Sequence, residues 1–149
     1  MTKQIFMNLL MVVVSLLSTR IVLAQTCECP IKDAEFKDFS LQKFSHHDPE
    51  QSAIIISQEY DSVRSILPGT VRKILVQSDR NSVIVALNDT TAVSYSGFSK
   101  LFVKEGDVLS VGDDIGLAAK NTNGEFEIGF AYRAKLRSIN PESILKCRK

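Results

Sequence analysis

An all-β domain is what this sequence predicts: a small antiparallel β core preceded by an irregular N-terminal arm. Three observations carry that expectation. From Ser52 onward, short runs rich in Val, Ile, Thr and Tyr recur, each bounded by turn residues. The clearest of them, Thr70–Gln77, sets Val71, Lys73 and Leu75 against Arg72, Ile74 and Val76, the two-residue period of a strand. The punctuation between runs is turn chemistry: Pro68-Gly69, Asn123-Gly124 and the polar hairpin loop Ser78-Asp79-Arg80-Asn81.

Taken in chain order, residues Met1 to Ala24 read as a cleavable secretory signal. Lys3 supplies the positive n-region, an apolar stretch runs from Ile5 to Leu17, and Val22-Leu23-Ala24 has the small-residue spacing that a signal peptidase cuts. Arg20 keeps the uninterrupted apolar run well below the roughly 20 residues of a spanning helix. The working chain is then expected to be exported, to the periplasm or outside the cell, with no spanning segment after cleavage. A lipoprotein signal cut before Cys27 is disfavoured, because Ala24-Gln25-Thr26 lacks the small residue expected there. Cleavage removes Lys3 and Arg20, leaving 16 of the 18 basic side chains against 17 acidic ones. That near-neutral balance gives no reason to expect nucleic acid as a partner. About 125 residues remain, enough for one domain with its own core.

The three cysteines, Cys27, Cys29 and Cys147, sit at the two ends of the mature chain. Export makes a bridge between the termini reasonable, and the strained ring of a Cys-x-Cys bridge leaves Cys29–Cys147 or Cys27–Cys147. Metal or redox use of Cys27 and Cys29 lacks both the usual spacer and a nearby third ligand.

Residues 25–51 form the arm, charged and aromatic with Phe36, Phe39, Leu41 and Phe44 irregularly spaced. A helical turn around Ile31 to Phe39 is its weak local signal. The strands of the core, residues 52–145, are expected at Ala53–Ser57, Ser62–Ile66, Thr70–Gln77, Ser82–Leu87, Ala92–Tyr95, Asp114–Ala118 and Phe126–Arg133, followed by a tail at 146–149. Both faces of Thr70–Gln77 are expected to be at least half covered.

The strongest motif is Val103-Lys104-Glu105-Gly106-Asp107-Val108 followed by Val111-Gly112-Asp113-Asp114-Ile115-Gly116. Its glycines suit tight corners, and its valines and Ile115 are expected to point into a small barrel. This pattern recurs in barrel-sandwich hybrids, including lipoyl and biotinyl carriers. Lys120 in Ala119-Lys120-Asn121 fits a carrier lysine only loosely, and export separates it from the attachment machinery.

Read outward, Leu67-Pro68-Gly69-Thr70-Val71, Ser82–Asn88, Val93–Leu101, Gly124–Phe130 and the closing Ile139-Asn140-Pro141 follow one another in an order that resembles the β core of LytM-like, lysostaphin-type zinc metallopeptidases, which cut peptidoglycan cross-bridges. The resemblance spans roughly Ser52 to Leu145. It implies an antiparallel, barrel-sandwich-hybrid-like core and a zinc site. That site takes a His and an Asp from an early H-x-x-x-D and a His from a late H-x-H, with the other His and one in a Tyr-x-His segment assisting. Here the early pair falls near Glu50 and Ile54, the late pair on Glu127 and Gly129, and the Tyr-x-His position on Gly97 beside Tyr95.

No catalytic residue, metal ligand or cofactor is therefore assigned. The resemblance implies a catalytically inactive cell-envelope domain that binds or regulates, with peptidoglycan or an envelope hydrolase as candidate ligand. Tyr95, Phe98, Glu127 and Phe130 would lie near its groove. A second reading keeps zinc and peptide cleavage through a rearranged site built from His46 or His47 with Asp48 and Glu127. A third has the arm make the contacts while the barrel serves as scaffold.

Overall fold

The computed structural model describes residues 26–42, 50–78, 80–135 and 137–149. The expected signal and the His46-His47-Asp48 stretch lie outside them. The strands are β1 (Cys27–Glu28), β2 (Glu35–Gln42), β3 (Glu50–Ser57), β4 (Ser62–Arg64), β5 (Gly69–Gln77), β6 (Arg80–Asn88), β7 (Thr91–Leu101), β8 (Val108–Leu109), β9 (Asp114–Lys120), β10 (Phe126–Ala134), β11 (Arg137–Ile139) and β12 (Leu145–Lys146). A 3-10 turn, Pro141–Ser143, is capped by Asn140, whose side chain accepts from the Glu142 amide at 3.0 Å. Among the described residues no helix is long and apolar enough to cross a membrane.

Ten strands form one antiparallel sheet in the order β2-β3-β10-β9-β7-β6-β5-β8, with β11 added to β10 and β4 to β9. Period-two alternation sends one side of each central strand inward. Ile55, Ile128, Phe130, Tyr95, Val83 and Val85 are all buried on that side. Full burial of each such side chain is worth about 1.5–3 kcal/mol relative to exposure. The antiparallel β core expected from the sequence is what forms.

Three expectations are corrected. The arm is not irregular, nor does it begin a helix at Ile31: β2 pairs with β3 from Glu35↔Ile56 to Gln42↔Glu50, extending the main sheet by a strand. The backbone amides of this stretch find partners only across the chain, so no local periodicity announces the strand. This pairing makes residues 35–42 part of the main sheet.

Next, Val108 and Val111 are 78% and 63% exposed, while Leu109 and Ile115 are buried. In the two-residue β8 only one side chain can face inward, and Leu109 takes that place. Gly106 and Gly112 do form the expected corners, at φ +93° and +92°. Then β5 is not covered on both faces. A bulge between Val71 and Lys73 resets its alternation, so that Val71 and Ile74 face Val85 and Val83 while Arg72, Lys73, Leu75 and Val76 are exposed.

The termini are joined as the sequence leads one to expect. β1 and β12 pair in parallel, Cys27↔Leu145 and Glu28↔Lys146, which continues directly to a disulfide between Cys29 and Cys147 with Cα atoms 4.8 Å apart. Of the two pairings left open by the sequence, this is the one formed. Cys27 stands outside the bridge, 6% exposed and packed in the core, and burial raises its thiol pKa.

Candidate functional site

The outward side of the central strands carries no covering helix among the described residues and is paved with small side chains. Across four neighbouring strands, Ile54 of β3 stands opposite Gly129 of β10, Gly129 opposite Ser96 of β7, and Ser96 opposite Ser82 of β6. The adjacent row runs Ser52, Ala131, Ser94 and Ile84. Small side chains on a twisted sheet leave a trough, here of about 350 Å³, lined at the β5–β6 hairpin end by Gln77 and Arg80.

That end holds a network of charges from four elements. Glu127 in β10 faces Arg80 at 3.7 Å and Lys37 of β2 at 4.0 Å, and accepts from Asn121 Nδ2 at 3.0 Å. Glu125 accepts from Lys37 Nζ at 3.1 Å and from the same Asn121 amide at 3.0 Å. Hydrogen bonds from Asn121 and then Lys37 hold the Glu125 carboxyl below its ordinary pKa. The sign follows from linkage: this contribution is present at neutral pH, above the ordinary carboxylate range, and is lost as acidification passes through the lowered value. Because the carboxylates are solvent-accessible, screening keeps the pairs weak individually.

Of the four groove residues expected from the sequence, only Glu127 faces the trough with its side chain. Tyr95, Phe98 and Phe130 are 0%, 0% and 1% exposed and belong to the core. They fall on the inward side of β7 and β10, where large aromatic area is best removed from water. The Tyr95 hydroxyl accepts from the Ile66 amide at 3.2 Å, fixing the segment after β4, and burial pushes its pKa up to about 12. Tyr95→Phe is therefore expected to lower unfolding free energy by about 1–3 kcal/mol, the cost of an orphaned buried amide, in urea denaturation. An unchanged midpoint would contradict the assignment.

Two of the positions aligned with the zinc site come together. Ile54 and Gly129 are cross-strand neighbours in the trough, yet one offers an alkyl group and the other no side chain. At Gly129 an added Cβ would run into the Ser96 hydroxyl, which itself donates to the Gly129 carbonyl at 3.4 Å. Gly97, at the Tyr-x-His position, has φ +98°, and a Cβ there would lie 2.8 Å from the Glu127 carbonyl oxygen. A histidine at either position needs the local structure to move. Glu50 begins β3 on the same strand as Ile54. Among the described residues no group of three His, Cys, Asp or Glu is placed to hold a metal.

Lys120 is not at a hairpin tip: it ends β9 and lies 5.0 Å from the Phe126 ring centroid. Lys37, Arg80 and Asn121 join the site without a sequence motif to mark them. Only Arg80 left a trace in the sequence, as part of a polar hairpin loop, and nothing local tells which carboxylate such a residue will meet.

No family model and no curated protein matches this chain. Solved structures do, at identities that establish the fold alone. A chain of the SpoIIQ–SpoIIIAH pore-forming complex matches with a TM-score of 0.64 and 16% identity, over 83% of this chain and 92% of that one. A mutant catalytic domain of the prophage-encoded protein EnpA from Enterococcus faecalis matches at 0.58 and 15% identity, over 74% and 91%. Lysostaphin matches at 0.58 and 14% identity, over 76% of this chain and 52% of its own length. The chain has the lysostaphin-type peptidase fold.

Proposed function

We propose that this is an exported, non-hydrolytic cell-envelope domain that uses the open face of a lysostaphin-type sheet to bind, with peptidoglycan or an envelope hydrolase as its ligand. One observation carries the reading. Of the positions where the resemblance puts the early and late pairs, Ile54 and Gly129 are cross-strand partners, and neither can donate a lone pair from its side chain. Glu127, the carboxylate that lines the trough, is engaged by Lys37, Arg80 and Asn121 rather than held ready for a metal or a water. The same fold occurs both in a catalytic domain and in a protein–protein complex, so binding without cleavage is within its range.

The test uses the secreted chain, beginning near Gln25, dialysed against zinc at neutral pH. Metal analysis is expected to find far less than one zinc per chain, and incubation with purified sacculi to release no peptide fragments. Co-sedimentation with sacculi, or capture of an envelope hydrolase, is expected instead. Stoichiometric zinc together with chelator-sensitive digestion would establish the rearranged metallopeptidase and remove this reading.

A further inference from the structure

The two ends of the open face differ in charge balance. At the Glu127 end every cation described above has a carboxylate partner. At the other end three cations have none: Arg72 and Lys73 on β5 and Arg133 on β10 form no ion pair among the described residues, nor do Lys135 and Arg137 just beyond, in the β10–β11 hairpin. The mature chain carries slightly more acids than bases, so this local excess is not a reflection of overall charge.

Register puts these groups on the trough side. Arg133 stands opposite Ala92, Ala92 opposite Ala86, and Ala86 opposite Thr70. Lys73 stands opposite Ile84, in the row that continues through Ser94 to Ala131. Arg72, the bulged residue, lines a hollow of about 320 Å³ with Thr70, Ala86, Leu87, Asn88 and Asp89, whose carboxylate is the one acid among these lining residues. From β5 to β10 there are three strand spacings, about 14 Å at ~4.8 Å each. The floor between the cations, formed by Ala86, Ala92, Ile84 and Ser94, is uncharged.

We propose that this end of the open face takes an acidic extended peptide laid across β5, β6, β7 and β10, with one carboxylate at Arg72 and Lys73 and another at Arg133. An extended chain advances about 3.3 Å per residue, so acids about four residues apart span the gap, and the even spacing keeps both on the side facing the sheet. The low Ala86-Ala92-Ser94 floor lets the peptide backbone approach closely. Lys135 and Arg137 extend the positive field toward an acidic continuation of the same segment. The inference rests on the open face being a binding surface, and it names the chemistry of what binds there.

The probe is a fluorescein-labelled peptide with three aspartates at four-residue spacing in a Gly/Ala background, titrated with the disulfide-bonded secreted chain and followed by anisotropy. The asparagine analogue and the Lys73→Glu/Arg133→Glu variant are each expected to bind about tenfold or more weakly. Lys146→Glu, a reversal on β12, is expected to leave binding unchanged. A peptide of the same composition with its aspartates contiguous is expected to bind more weakly than the spaced one. Equal binding of the asparagine or contiguous peptides, an equal loss in Lys146→Glu, or no binding up to about 1 mM would overturn the proposal. Should the acidic peptide fail while sacculi still co-sediment with the Lys73→Glu/Arg133→Glu variant, only this inference falls and the binding reading stands.

Discussion

Reduction of the Cys29–Cys147 bridge is expected to lower unfolding free energy by up to about 4–5 kcal/mol. The bridge closes a loop with a sequence separation of 118, and the chain-entropy cost of an open loop that long is near the upper end for disulfides. It also holds β1 beside β12, a two-strand pairing far too short to persist unaided. For a domain of this size the loss corresponds to a fall in melting temperature on the order of 15 °C. Cys27 does not rescue the bridge, since it stands opposite Leu145 and reaching Cys147 requires a slip of the parallel register by two residues. Cys29→Ser and Cys147→Ser should therefore lose similar amounts, and Cys27→Ala should keep the bridge and its reductant sensitivity. Melting curves that coincide with and without reductant would contradict the role given to the disulfide.

Phe130→Ala is expected to be nearly as damaging, about 3–5 kcal/mol by the usual cost of emptying a core aromatic site. Phe130 is 1% exposed, and its ring meets Tyr95 edge-on at 5.4 Å between centroids, a pairing that adds to simple burial. The strand that carries it is central, paired with β3 on one edge and with β7 and β9 on the other, so a cavity here is poorly placed to collapse. Phe130→Leu should recover much of the loss. Glu127→Gln, on the trough side of the same strand, should cost under about 1 kcal/mol, because its ion pairs are solvent-screened. A Phe130→Ala protein that melts normally but no longer binds its ligand would return Phe130 to the groove and remove it from the core.

The two faces of β10 thus divide the labour of the domain. Ile128 and Phe130 anchor the core, while Glu127, Gly129, Ala131 and Arg133 alternate with them along the open face. Where the resemblance leads one to expect metal ligands there is a low floor, and where it leads one to expect a reactive centre there is a carboxylate tied to Lys37 and Arg80. Placing a histidine at Gly97 or Gly129 requires the local structure to shift, since a Cβ would meet the Glu127 carbonyl oxygen at the first and the Ser96 hydroxyl at the second.

Much of the fold is legible in the order of the residues themselves. The strands β3 to β7, β9 and β10 follow from period-two alternation and from turn residues such as Pro68-Gly69 and Asn123-Gly124, which are local properties of the chain, whereas the two-residue β8 does not. The ordered motifs between Ser52 and Leu145 carry the family resemblance, and the identities of Ile54, Gly97 and Gly129 alone tell against a ligand set. What only the tertiary structure decided was pairing and facing. β2 becomes a strand because β3 offers it hydrogen bonds, and Cys29 rather than Cys27 is bridged because the β1–β12 register places it opposite Cys147. One bulge after Val71 turns Lys73 outward, and Tyr95, Phe98 and Phe130 fall on the inward side of strands whose outward side holds Ser96, Gly97 and Gly129. Lys37, Arg80 and Glu127 lie on three different strands, far apart in sequence, and meet only once the sheet is assembled. Period and turn chemistry are set by neighbours along the chain, whereas register, facing and charge pairing are set by partners that the chain brings together only on folding.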